Sequence, residues 1–113
     1  MKRRLAMAVA VLALLVPTGG APHDVAEKLL LDNERVMVVE YTFPPGFRGE
    51  EHAAVADEFA YVLEGEFTVV TRGQGRRVVR RGELEYATKD TVHFSVNETG
   101  KPARVLVVLL KGR

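Results

Sequence analysis

No cysteine occurs in the 113 residues. Disulfides, iron–sulfur clusters, thiolate zinc sites and cysteine nucleophiles are excluded at once. Net charge is nearly lacking as well, since 16 Lys and Arg stand against 15 Asp and Glu. A chain at +1 gives no electrostatic case for nucleic acid as the main partner. Internal repeats, linkers and low-complexity stretches are also absent. What the chain does have is 47% apolar and 27% charged residues. That composition argues against disorder, and the length suits one domain with a modest core rather than two.

Long apolar runs are confined to the start. Lys2, Arg3 and Arg4 precede an unbroken apolar run over residues 5–16, followed by Pro17, Thr18, Gly19, Gly20 and Ala21. A basic segment, an apolar segment and a small-residue exit are the parts of a secretory signal peptide. An uncleaved anchor is the rival reading, but a helix over that run would reach about 18 Å, short of the ~30 Å hydrocarbon core. The expectation is a signal peptide at residues 1–20 and one domain at residues 21–113, exported to a periplasm or secreted, with no stable membrane span after cleavage. Without residues 1–20 the balance is 13 basic against 15 acidic, or −2. An exported domain of this size without disulfides must rely on packing alone, which favours a closed barrel or a dimer.

The body reads as short strands. Apolar and β-branched runs at 28–31, 35–43, 60–63, 66–71, 77–81, 83–87, 91–96 and 103–110 alternate with turn signals, among them Pro44-Pro45-Gly46, Gly73-Gln74-Gly75 and Asn97-Glu98-Thr99-Gly100. Regular spacing of this kind predicts an all-β antiparallel sandwich or barrel. Residues 24–31 admit a short helix as an alternative.

Three polar residues fit a plain barrel poorly. His52 follows the Pro-Pro-Gly turn, His93 stands in an apolar strand, and Glu58 precedes Phe59-Ala60-Tyr61-Val62-Leu63. Any one alone reads as an ordinary surface or core residue. Together they sit in two spaced blocks. Gly46, His52, Ala54, Glu58 and Gly65 form the first, and Gly82, Thr88, Asp90, His93 and Asn97 the second. This resembles the two-part signature of the cupin superfamily, whose gaps all match.

The resemblance implies a single-domain jelly-roll barrel with a divalent transition metal (Fe, Mn, Zn or Ni) held by His52, Glu58 and His93. Ala54 stands where the family has a second histidine. Thr88 and Asp90 replace the family's proline and glycine. Two imidazoles and a carboxylate are a sufficient protein set for such a metal, with positions left for a small-molecule ligand or substrate. Glu50 or Glu51 offers a replacement oxygen by strand parity. Oxidation, isomerisation or lyase chemistry on a small organic molecule is the enzymatic reading. A metal-free barrel that binds a ligand or another protein is the alternative. The resemblance also suggests a homodimer. Thr91 and Ser95 share parity with His93 as candidate ligand contacts, and Tyr61 and Phe67 are expected in the core. Arg72, Arg76, Arg77, Arg80 and Arg81 cluster around one hairpin, as a solvated strand pair or as a patch for anionic partners. Aromatic residues for base stacking are lacking beside them.

Overall fold

The structure, a computed structural model, describes residues 24–112, and the expected signal peptide at residues 1–20 lies outside them. Nine strands run in order: β1 (Ala26–Asp32), β2 (Val36–Phe43), β3 (His52–Ala53), β4 (Asp57–Glu64), β5 (Glu66–Thr71), β6 (Gly75–Arg80), β7 (Leu84–Ala87), β8 (Val92–Val96) and β9 (Ala103–Leu110). There is no helix among the described residues, and Ala26–Asp32 is strand where a helix over 24–31 was the alternative. That segment pairs along β2, which carries the clearest strand pattern. The residues of β2 alternate strictly between half-buried and buried, the period-two signature of a strand with one face on a core.

All pairings are antiparallel and form two sheets, β1-β2-β9-β4-β7 and β3-β8-β5-β6. Their inner faces enclose Met37, Val39, Tyr41 and Phe43 from β2, Val62 from β4, Phe67 and Val69 from β5, Val79 from β6, and Val105 and Leu109 from β9. This is the jelly-roll layering predicted from the sequence. Phe43 and Phe47 stack at 5.0 Å, and Phe67 lies 5.6 Å from Phe43, so one end of the core is aromatic.

Tyr61 departs from expectation. It is 41% exposed on the outer face of the five-stranded sheet, because Val62 next to it takes the inward position. Phe67 is in the core as expected.

Two turns fix the geometry that the site needs. Asn97 is fully buried; its amide donates to the carbonyl oxygens of Phe43 (3.0 Å) and Lys101 (2.8 Å), and its Oδ1 accepts from the Thr99 amide and hydroxyl. One side chain thereby ties the end of β2 to the β8–β9 turn. Asp90 has a positive φ of 77°, a conformation that favours glycine, and it stands where the resembled family has glycine. Its N–H donates to the Ala54 carbonyl at 2.8 Å, while the Ala54 N–H donates to Thr91 at 2.7 Å. The segment that follows His52 and the one that precedes His93 are stitched together by this exchange.

Candidate metal and ligand site

His52 and His93 are register partners across β3 and β8, and their rings lie 5.0 Å apart, near edge-to-face. Glu58 reaches the same place from the other sheet. On β4 it is flanked by Leu109 of β9 and Ala87 of β7, both buried, so its parity points inward. Its Oε2 lies 3.1 Å from His93 Nε2. Three residues from three strands and both sheets therefore surround one cavity of about 50 Å³. Free space of about 10–15 Å³ holds one water, so the cavity suits an ion with a few waters or a small organic molecule.

The two histidines differ in preparation. His52 Nδ1 lies 3.0 Å from the Glu50 carbonyl oxygen. A carbonyl only accepts, so Nδ1 carries a hydrogen, and in the neutral imidazole Nε2 is the nitrogen with the lone pair. Metal-binding histidines are oriented by this kind of second hydrogen bond. His93 is 6% exposed, and its Nδ1 is buried with no hydrogen-bond partner.

The donor chemistry fits a divalent metal. Two atoms bound to one metal at about 2.0–2.2 Å and about 90° sit roughly 3 Å apart, and the Glu58–His93 pair has that spacing. The same contact also serves as an ordinary hydrogen bond. His52 stands apart from the pair, and among the described residues no three His, Asp or Glu side chains are gathered into a ready metal cage.

The missing fourth ligand has no substitute from the preceding loop. Glu51 is drawn outward to Arg72 at 2.8 Å. Glu50 is exposed and meets His52 through its backbone oxygen only. Parity fails as a guide because β3 is two residues long, which leaves position 50 outside any strand.

Apart from the three candidates, the polar lining consists of Tyr41 and Ser95; the rest is apolar, including Phe43, Phe47, Phe67 and Val105. Ser95 lines the cavity as parity suggested. Thr91 does not, and its hydroxyl pairs with that of Thr88 at 3.2 Å. Tyr41 was not singled out from the sequence, although the alternation of Met37, Val39, Tyr41 and Phe43 placed it on the inner face. Its hydroxyl is the second buried polar atom without a partner among the described residues. Burial, then the charges of Glu27 and Glu58, push its phenol well above the usual tyrosine range.

Four of the five clustered arginines are ion-paired. Arg72, Arg76, Arg77 and Arg80 pair with Glu51, Glu98, Glu85 and Glu66 respectively. A solvated strand pair is the reading this arrangement supports, rather than an open basic patch.

Comparison with known proteins bears on the same region. Residues 39–109 match the family described as "Cupin domain". The chain is 35% identical over 71 residues to the cupin-domain-containing oxidoreductase fogC of Aspergillus ruber, covering 60% of this chain and 34% of that protein. It thus spans about a third of the length of the curated relatives it matches. Among solved structures, TT1209 from Thermus thermophilus superposes with a TM-score of 0.71 at 28% identity, covering 86% of this chain and 90% of that one. The polyketide cyclase RemF from Streptomyces resistomycificus gives 0.71 at 26% identity, over 79% and 66% of the two chains.

Proposed function

The chain belongs to the cupin family, and from that premise we propose that it binds a divalent transition metal through His52, Glu58 and His93 and acts on a small organic molecule held in the adjoining cavity. The observation that carries this is the convergence of the three residues on one cavity, with Glu58 and His93 at the spacing of two ligands on one ion. A bound Fe, Mn, Zn or Ni would supply Lewis acidity, or redox capacity in the case of iron or manganese, toward a molecule at its open positions. The chain's own residues supply the rest. His52 presents Nε2 because Glu50 fixes its tautomer. Glu58 and His93 hold one proton or one ion between them. The aromatic wall excludes water from the ligand's apolar part. The names of the oxidoreductase and cyclase relatives support chemistry on a small molecule.

Metal analysis tests the reading. The purified protein loaded with iron, manganese, zinc or nickel should retain one ion per chain, and His93→Ala should lose it. Absence of stoichiometric metal, or unchanged metal in His93→Ala, would refute it. A second reading rests on Ala54 and on the unpartnered His93 Nδ1, both of which weaken a metal site. It is a metal-free barrel that binds its ligand without turnover, and saturable binding with no retained metal would favour it.

Two further parts of the proposal concern setting. Export rests on the pattern at residues 1–21, and a native N-terminus at Met1 would overturn it. Homodimerisation rests on the outer face of the five-stranded sheet. Register places Leu31, Val38, Val108, Phe59 and Tyr86 in one row across all five strands, with Leu106, Tyr61 and Leu84 beside it. Leu31, Tyr61, Leu84, Tyr86 and Leu110 are 36–48% exposed. With side chains of roughly 200 Å², these five alone offer about 400 Å², half of the ~800 Å² per partner in a standard interface. The half-buried valines, Phe59 and Leu106 add to it. A continuous apolar face of that size is as large as the largest patches found on monomers, which are often binding surfaces, and a second copy of the same face matches it in shape and polarity.

A further inference from the structure

Tyr41 is 1% exposed, yet its hydroxyl has no hydrogen-bond partner. An orphaned buried hydroxyl is unfavourable unless something completes it. The residue lines the same cavity as Glu58 and His93, and Tyr41 and Phe43 sit two apart on β2 with their rings 6.1 Å apart and nearly parallel. The wall of the cavity thus includes a residue with an unpartnered hydroxyl, set beside aromatic rings.

We propose that the Tyr41 hydroxyl is the anchoring donor of this cavity, giving its hydrogen bond to the carbonyl oxygen of a small neutral ligand whose hydrocarbon part lies against Phe43, Phe47 and Phe67. The inference rests on the small-molecule reading above and names the ligand class. The phenol remains protonated, so it donates. No Lys or Arg lines the cavity, while Glu58 does. Without a bound metal, a carboxylate ligand would meet the Glu58 carboxylate and no Lys or Arg, whereas a neutral carbonyl needs only the donor. Tyr41 is a contact residue for the ligand and not one of the metal's candidate ligands.

The test uses the full chain with two probes of nearly equal shape, cyclopentanone and methylenecyclopentane, titrated by calorimetry with and without zinc. Wild type should bind the ketone at least tenfold more tightly, the equivalent of about 1.4 kcal/mol. Tyr41→Phe should bring the two affinities within about twofold while leaving zinc stoichiometry unchanged and unfolding at the same or a higher denaturant concentration. The carbonyl stretch of bound cyclopentanone should shift to lower frequency in wild type, a readout that does not need the variant to fold. Equal affinities for both probes in wild type, no saturable ketone binding, or an unshifted carbonyl band would overturn the proposal. If zinc fails to bind but the ketone preference persists and is lost in Tyr41→Phe, the anchoring role stands and the metal reading falls. If zinc binds and the preference is missing, the reverse holds.

Discussion

Burial of single groups sets the behaviour of this barrel most visibly at Tyr41. Its phenol is raised above the ordinary value, chiefly by loss of water around it. Below pH ~10 the residue is neutral in both folded and unfolded chains and adds no pH dependence. Above that, the unfolded chain releases the proton while the folded one retains it, so stability falls as pH rises. The loss attributable to Tyr41 should reach about 1.4 kcal/mol per pH unit. Denaturant melts of wild type and Tyr41→Phe from pH 8 to 11 should diverge above pH 10, with the variant less sensitive. Asp90 is a second such position. Its left-handed φ costs a non-glycine residue free energy that glycine avoids, partly offset by glycine's greater flexibility when unfolded. Asp90→Gly should therefore stabilise by about 0.5 kcal/mol and raise Tm by roughly 2–4 °C, checked by calorimetry.

At the level of strands, the elements that carry the candidate ligands are unequal. Glu58 lies on an eight-residue strand paired on both sides, and His93 on a five-residue strand within a sheet. His52 depends on a two-residue edge strand whose one neighbour is β8. Short edge segments open at low free-energy cost. The amide of Ala53 should exchange with solvent faster than those of β2 and β9, and saturating zinc should slow it if His52 joins the site. Hydrogen exchange read by mass spectrometry or NMR checks this. The same inequality explains what was legible in the sequence. The long strands, their turns and the spacing of Glu58 and His93 follow from apolar alternation and glycine positions, which report directly on parity. Glu50 was misjudged because parity was extended into a segment with no ladder to enforce it. Tyr61 was misplaced because an aromatic residue in an apolar run looks buried until neighbours claim the inner face. The unpaired Tyr41 hydroxyl was illegible, since an orphaned atom is a property of three-dimensional surroundings and leaves no mark in local sequence.

The molecule as a whole presents two unlike outer faces. The four-stranded sheet ends in β6, whose arginines are matched by glutamates from other segments. Exposed ion pairs of this kind contribute little to stability individually, but they keep an edge strand soluble. The five-stranded sheet carries the apolar rows. Sedimentation should find a dimer, and the double variant Leu84→Glu, Tyr86→Lys should convert it to a folded monomer with unchanged far-ultraviolet circular dichroism. A wild-type monomer at tens of micromolar would exclude pairing through this face. If the dimer forms, the two cavities belong to separate barrels, because the paired surface lies outside the layers that enclose them.

The order of strands carries one more consequence. The centre of the five-stranded sheet is β9, bonded to β2 on one side and β4 on the other, and β9 is the last strand in chain order. A nascent chain that has not yet delivered Ala103–Leu110 holds two hydrogen-bonding edges apart with nothing between them. The sheet cannot close before Ala103–Leu110 has been made. A sheet built this way stays open until its central strand is delivered, which is the condition a chain needs if it is to be threaded through a narrow pore before it folds.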